Sequence, residues 1–205
     1  MLTFQDLLLV ISGALGTLLL RTGAKITVKV HADTRPLAEY HCSDENARPG
    51  PGRLSQGCGM KVSDRKASNG YAWAHGSNQV GSSPREHTIY GPYTNDFGKP
   101  GYYKVTFRVR CCEDLPISNE PIVVLDVVRA PFSDEVGMAL MGQRVIRARE
   151  LTKVYKRFNV YCHYTGGGIY EYRCSVIATD HFKTTNTVLF DTIKIYRHFP
   201  LWDVF

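Results

Sequence analysis

The sequence contains none of the short motifs that mark the commoner catalytic sites. Its seven histidines form no HExxH pair, and no serine sits in a nucleophile-elbow pattern. No GxxxxGK[ST] loop occurs; the triple glycine at residues 166–168 lies between apparent strands and reads as a turn. The six cysteines include no CxxC and no Cys/His knuckle, which argues against a structural zinc. No internal repeat and no low-complexity stretch appears, and few segments carry helical periodicity. These absences point away from an enzyme and toward a binding or structural protein.

What is present favours strands. Hydrophobic residues make up 43% of the 205, enough for a real core, and twelve Tyr and nine Phe suit a pleated, half-buried surface. Residues 25–30 alternate Lys25, Thr27 and Lys29 with Ile26, Val28 and Val30. Residues 102–110 are the strongest strand, with Tyr102, Lys104, Thr106, Arg108 and Arg110 on one face and Tyr103, Val105, Phe107 and Val109 on the other. Further strands are expected at 37–42, 60–62, 71–74, 122–128, 136–148, 155–164 and 188–196, with a long loop at 43–59. Residues 169–177 are expected to form a hairpin with the preceding strand across the glycine run. Many short strands without βαβ alternation specify a sandwich or barrel.

Residues 2–20 form a nearly unbroken apolar run with one acid, Asp6, long enough to cross a bilayer as a helix. No positive stretch precedes it, which disfavours a secretory signal. Arg21, Lys25 and Lys29 follow it and would place the β region on the cytoplasmic or matrix side of an anchor. The run also resembles the start of a type IV pilin-like subunit, with Asp6 near the place of the usual acid. The expected organisation is an apolar α-helix over residues 1–24, packing in a membrane or against copies of itself in a filament, and a β domain over 25–205.

Cys42 and Cys58 flank a Pro/Gly/Arg-rich loop, Cys111 and Cys112 are adjacent on a strand and face opposite ways, and Cys162 and Cys174 flank the glycine turn. All six are disulfide candidates, and at least one bridge is expected, in an oxidising compartment. This favours a membrane-associated, extracellular or cell-surface location, against the orientation that the basic flank suggests; an organellar membrane is the alternative. The net charge of +6 fits a weak attraction to acidic partners, and nucleic acid is not expected. The largest basic run is Arg144, Arg147, Arg149, Lys153, Lys156 and Arg157, read mainly as a solvated face.

A set of segments in order carries a resemblance. These are Ala38-Glu39, residues 60–64 (MKVSD), 67–71 (ASNGY), 90–93 (YGPY), 100–108 (PGYYKVTFR) and 189–193 (LFDTI). The succession resembles the galactose-binding-like β-jelly-rolls, in particular carbohydrate-binding modules of families 6 and 35. The resemblance implies an all-β, two-sheet jelly-roll sandwich, here preceded by the N-terminal apolar α-helix. It implies a structural calcium ion held partly by Glu39 and Asp191, for which hard oxygen ligands are suited. It also implies a glycan site, with Tyr71 and Trp73 as the aromatic platform and Asn186 as the amide that bonds sugar hydroxyls. The aromatic that such modules often carry after the central strand is missing, since Val109, Arg110 and Cys111 stand there. The expected function is a tethered, non-enzymatic jelly-roll module with glycan as a candidate ligand. The alternatives are a pilin-like filament subunit and a scaffold subunit of a membrane complex.

Overall fold

The structure is a computed structural model that describes residues 15–19, 25–29, 35–44, 52–76, 87–115, 117–130, 138–177 and 187–198. In chain order the strands are β1 (Leu15–Leu19), β2 (Lys25–Lys29), β3 (Ala38–His41), β4 (Ser55–Gln56), β5 (Met60–Ser63), β6 (Tyr71–Gly76) and β7 (Ile89–Tyr90). They continue with β8 (Pro92–Thr94), β9 (Gly101–Cys111), β10 (Pro121–Ala130), β11 (Ala139–Arg147), β12 (Lys156–Tyr164), β13 (Ile169–Val176) and β14 (Thr187–His198).

Two antiparallel sheets make the sandwich. The first runs β11-β10-β13-β7-β4, with β8 also on β13; the second runs β12-β9-β14-β6-β5, with β3 also on β14. The chain passes from one sheet to the other between β9 and β10, β11 and β12, β12 and β13, and β13 and β14, as in a jelly roll. The hairpin expected between β12 and β13 is therefore not formed. Both strands turn apolar side chains inward, Phe158, Val160, Cys162 and Tyr164 from β12 and Tyr170, Tyr172, Cys174 and Val176 from β13. Placing them on opposite layers buries both sets against each other, and the glycines at 166–168, all with positive φ, carry the chain across.

The core explains the many tyrosines. Phe97 lies against Tyr103, Tyr170 and Tyr164 at ring-centroid distances of 4.6, 4.8 and 5.3 Å. Each buried hydroxyl has a partner, as burial requires. Tyr103 donates to the carbonyls of Phe97 and Lys99, Tyr170 to that of Gly167, and Tyr172 to Asp96. Asn95 donates to the Tyr164 oxygen. Where β11 meets β12 at the edge of the sandwich, a Cβ on Gly142 would stand 2.4 Å from the Tyr161 carbonyl oxygen, so only glycine permits this approach.

Three expectations are corrected. Residues 15–19, placed in an apolar helix, form a strand paired with β2 from Leu15 opposite Lys29 to Leu19 opposite Lys25. An apolar run alone does not distinguish a buried helix from a strand. Residues 1–14 lie outside the described residues, and among those described no helix is long and apolar enough to cross a membrane. The helical start shared with pilin-like subunits is thus not seen in any described residue. No two of the six cysteines are joined by a disulfide. Cys42, Cys111, Cys162 and Cys174 are buried in the inter-sheet core as small apolar residues, so the case for an oxidising compartment that rested on bridges does not apply. The stretch 43–59 is not all loop, because Ser55 and Gln56 pair with Tyr90 and Ile89.

Candidate functional site

Alternation along β13 sends Tyr170, Tyr172, Cys174 and Val176 into the core and leaves Glu171, Arg173 and Ser175 on the outer face of the first sheet. Across the ladder Arg173 stands opposite Asp126 of β10. Its guanidinium holds that carboxylate with both arms, at 2.6 and 3.0 Å. Ser175 Oγ meets His87 Nδ1 at 2.8 Å. The Tyr93 hydroxyl hydrogen-bonds Glu171. Glu171, Arg173, His87 and Tyr93, with Gly57, Cys58, Tyr90 and Met138, line a cleft of about 330 Å³.

Two features mark the cleft as built. Glu171 is only 2% exposed, yet its Oε1 has no hydrogen-bond partner in the protein. Burying such a group without a partner is costly, and polar groups of this kind cluster where a ligand supplies what the fold does not. Tyr93 has φ +59°, a conformation that bulky side chains adopt at an energetic cost and that concentrates at ligand sites. Its neighbours fix it there: the Tyr172 N–H donates to the Gly91 carbonyl at 2.6 Å, and the Tyr93 phenol reaches Glu171.

The electrostatics follow from burial. Desolvation raises the Glu171 carboxyl, and repulsion from Asp126 adds to it, against the opposing pull of Arg173 and Tyr93. Desolvation and the adjoining Glu171 push the Tyr93 phenol up to about 12. His87 is lowered, first by burial and then by the Arg173 charge, so its imidazole is neutral at neutral pH. The cleft thus presents acceptors and donors of fixed geometry between two phenol rings, with its strongest charges already paired.

The residues singled out from sequence stand elsewhere. Trp73 is 8% exposed, belongs to the inter-sheet core, and donates its indole N–H to the Cys58 carbonyl at 3.1 Å. It is a core residue and not an exposed platform. Tyr71 shares its strand face but sits at the strand's start, 47% exposed, with the Lys61 ammonium 4.9 Å from its ring centre. Asn186 lies outside the described residues.

Glu39 and Asp191 are not brought together as ligands. Glu39 pairs with Lys194 at 2.8 Å. Asp191 is fully buried, where it accepts from the Ser68 N–H at 3.0 Å and the Ser68 hydroxyl at 2.8 Å and pairs with Arg108. Each carboxylate already faces a protein cation, and among the described residues no group of three or more metal-binding side chains forms. The donor set does not fit calcium.

The basic run disperses as well. Arg144 pairs with Glu150, Lys153 with Asp114, Arg147 donates to the Asn119 carbonyl and Lys156 to that of Glu150, while Arg157 lines the surface described below. The cleft residues were missed because they come from four distant segments. The available signal was the clean alternation of residues 169–176, which sets Glu171, Arg173 and Ser175 apart from four apolar neighbours.

No protein-family model and no curated protein matches the sequence. Solved structures of similar shape include the CBM22-1 xylan-binding domain from Paenibacillus barcinonensis Xyn10C, at 12% identity and TM-score 0.48, covering 80% of this chain and 94% of that one. The family 35 carbohydrate binding module from Clostridium thermocellum is similar at 12% identity and TM-score 0.47, over 78% and 98%. The carbohydrate binding module CBM6cm-2 from Cellvibrio mixtus lichenase 5A, solved with cellotriose, is similar at 11% identity and TM-score 0.43, over 80% and 100%. The ligands in these names are those of the proteins named.

Proposed function

We propose that this chain is a non-catalytic carbohydrate-binding module that holds an uncharged sugar in the cleft over β13. The observation that carries the reading is the buried, unpartnered Oε1 of Glu171 in a cleft that Tyr90 and Tyr93 also line. A sugar hydroxyl donates to that oxygen, while a phenol ring covers the C–H face of the pyranose. The cleft volume of about 330 Å³ is at the small end of ligand pockets and suits one or two sugar rings. Binding without turnover is favoured because Asp126 is occupied by the Arg173 fork and so does not orient His87. The Ser175–His87 contact is then a structural hydrogen bond and not a nucleophile–base pair.

Retention of the full chain on gels containing neutral polysaccharides tests this. Parent protein should be retarded by at least one of them. Glu171→Gln and Tyr90→Ala should each weaken retention by about tenfold or more, since a hydrogen bond to a charged acceptor or a stacked ring is lost. Equal retention of parent and both variants, or of neither, would overturn the assignment. Hydrolysis of an activated ester that disappears in Ser175→Ala would replace it with a catalytic reading.

A further inference from the structure

The opposite face of the sandwich carries a second surface, unconnected with the cleft. Strands β12, β9 and β14 lie side by side, and their registers place outward residues in rows. One row is Arg157, Arg108 and Thr192, the next is Asn159, Thr106 and Lys194, and the third is Tyr161, Lys104 and Tyr196. Each row carries at least one cation, and successive rows are two residues apart, about 6.7 Å along the strands. Arg108, Arg157, Lys194 and Tyr196, with the hydroxyl residues Ser68, Thr106 and Thr192, line a depression of about 250 Å³.

A bulge in β14 creates this arrangement. Phe190 pairs with Val109 but Thr192 with Arg108, so Asp191 is the extra residue and the strand's parity changes there. Asp191 is consumed beneath the face by Ser68 and Arg108. Of the other carboxylates, Glu39 is matched by Lys194. Arg157 has no carboxylate partner among the described residues, and Lys104 lies over the Tyr196 ring at 4.8 Å. Arg108 and Lys194 are matched by Asp191 and Glu39, so the surplus positive charge of the face rests on Arg157 in the first row and Lys104 in the third.

We infer that this face binds a sulfated polysaccharide, the chain running along the strands with sulfate groups over Arg157 and Lys104. Two surplus cations two rows apart on one face match a polyanion whose charges repeat along its length. The Arg157 guanidinium suits an oxyanion with several acceptor oxygens. Single-stranded nucleic acid fits less well, because it needs free rings on which bases stack. Here Tyr102 is stacked on His163 at 4.4 Å, Tyr161 lies against His198 at 4.9 Å, and Tyr196 is covered by Lys104.

The test compares the full chain with heparin, its desulfated counterpart, polygalacturonate and a thymidine oligonucleotide. Heparin should bind, and its affinity should fall steeply from about 0.05 to about 0.3 M salt as exposed charges are screened. The desulfated chain and polygalacturonate should each bind about tenfold or more weakly. Arg157→Glu and Arg157→Ala/Lys194→Ala should each lower heparin affinity by about tenfold or more. Both variants should keep the parent's melting temperature and its retention by neutral polysaccharide, because they remove exposed charge far from the cleft. Equal binding of heparin and its desulfated form, oligonucleotide binding as tight as heparin's, or unchanged affinity in Arg157→Glu would each overturn the inference. Failure of neutral-sugar binding would bear only on the cleft.

Discussion

Replacing Trp73 separates a core residue from a ligand platform. The side chain is 8% exposed, lies in the inter-sheet core and fixes the Cys58 carbonyl through a 3.1 Å hydrogen bond. Trp73→Ala removes the buried ring and leaves a cavity, a change that costs about 3–5 kcal/mol. The lost hydrogen bond adds about 1 kcal/mol, because the Cys58 carbonyl then has to find another donor. Against a total stability of about 5–15 kcal/mol, a loss near 4 kcal/mol lowers the melting temperature by roughly 8–16 °C for a domain of this size. Trp73→Phe keeps most of the volume and drops the N–H, so it should cost about 1–2 kcal/mol. Urea titration followed by circular dichroism measures both, with the midpoint shifting and the slope unchanged. If Trp73→Ala unfolds within about 1 kcal/mol of the parent while polysaccharide retention is abolished, the ring is a surface platform and the packing argument is wrong.

Burial raises the Glu171 carboxyl, so the folded chain holds that proton more tightly than the unfolded one. The stability this contributes is full at acidic pH and is lost as pH rises through the folded-state value. Glu171→Gln should therefore match the parent under acid conditions and gain on it toward neutral pH in a series of melting curves; a constant difference would refute the cause assigned. Arg110 pairs with buried Asp64 at 2.9 Å, so Arg110→Ala strands a carboxylate that also accepts from the Tyr155 hydroxyl, at a cost of about 3–5 kcal/mol by chemical denaturation. Gly142→Ala puts a methyl 2.4 Å from the Tyr161 carbonyl and 2.9 Å from Val160, and the forced separation of β11 from β12 should cost about 1–3 kcal/mol. A chelator should leave the parent's melting temperature unchanged, because Asp191 is neutralised by Arg108 and Glu39 by Lys194.

Period-two alternation made most of the sandwich legible. It placed β9, β10, β12, β13 and β14 to within a few residues, and it set Phe107 and Val109 on the core side and Arg108 and Arg110 on the other. Which strand neighbours which was not legible, because pairing is a long-range choice that local pattern does not encode. Hence β12 and β13 read as a hairpin although they belong to different layers. The same limit hid the cleft. Glu171 and Arg173 are visible as polar positions in an apolar strand, but Asp126, His87 and Tyr93 meet them only through the order of the first sheet. Whether Trp73 is platform or core was not legible for a different reason. Its neighbours Ala72 and Ala74 face a small satellite core with Leu189, so both faces of β6 are covered, and a sequence with apolar residues on both faces does not say which large one is exposed. Charge was misleading in its own way, because cations adjacent in sequence at residues 144–157 diverge, while Arg157, Arg108 and Lys194 converge from three strands.

The two outer faces are separated by the whole thickness of the sandwich, about 10 Å between sheets plus the side chains on either side. No hydrogen bond or ion pair found among the described residues joins the Glu171 group to the Arg157 rows. Between them lies a core of interlocked aromatic rings, Phe97 against Tyr103, Tyr164 and Tyr170. Substitutions confined to outward positions on the two faces should therefore be additive to within about 0.5 kcal/mol, whereas Trp73 couples to the cleft directly, because the Cys58 it anchors lines that site. A module of this kind would hold two ligand groups at once without either altering the affinity for the other. A polysaccharide bearing both neutral and sulfated stretches would then gain from simultaneous engagement only if one chain can reach around the sheet edge. The segment from Cys58, which lines the cleft, to Ser68, which lines the depression, is the shortest stretch of chain between the two sites.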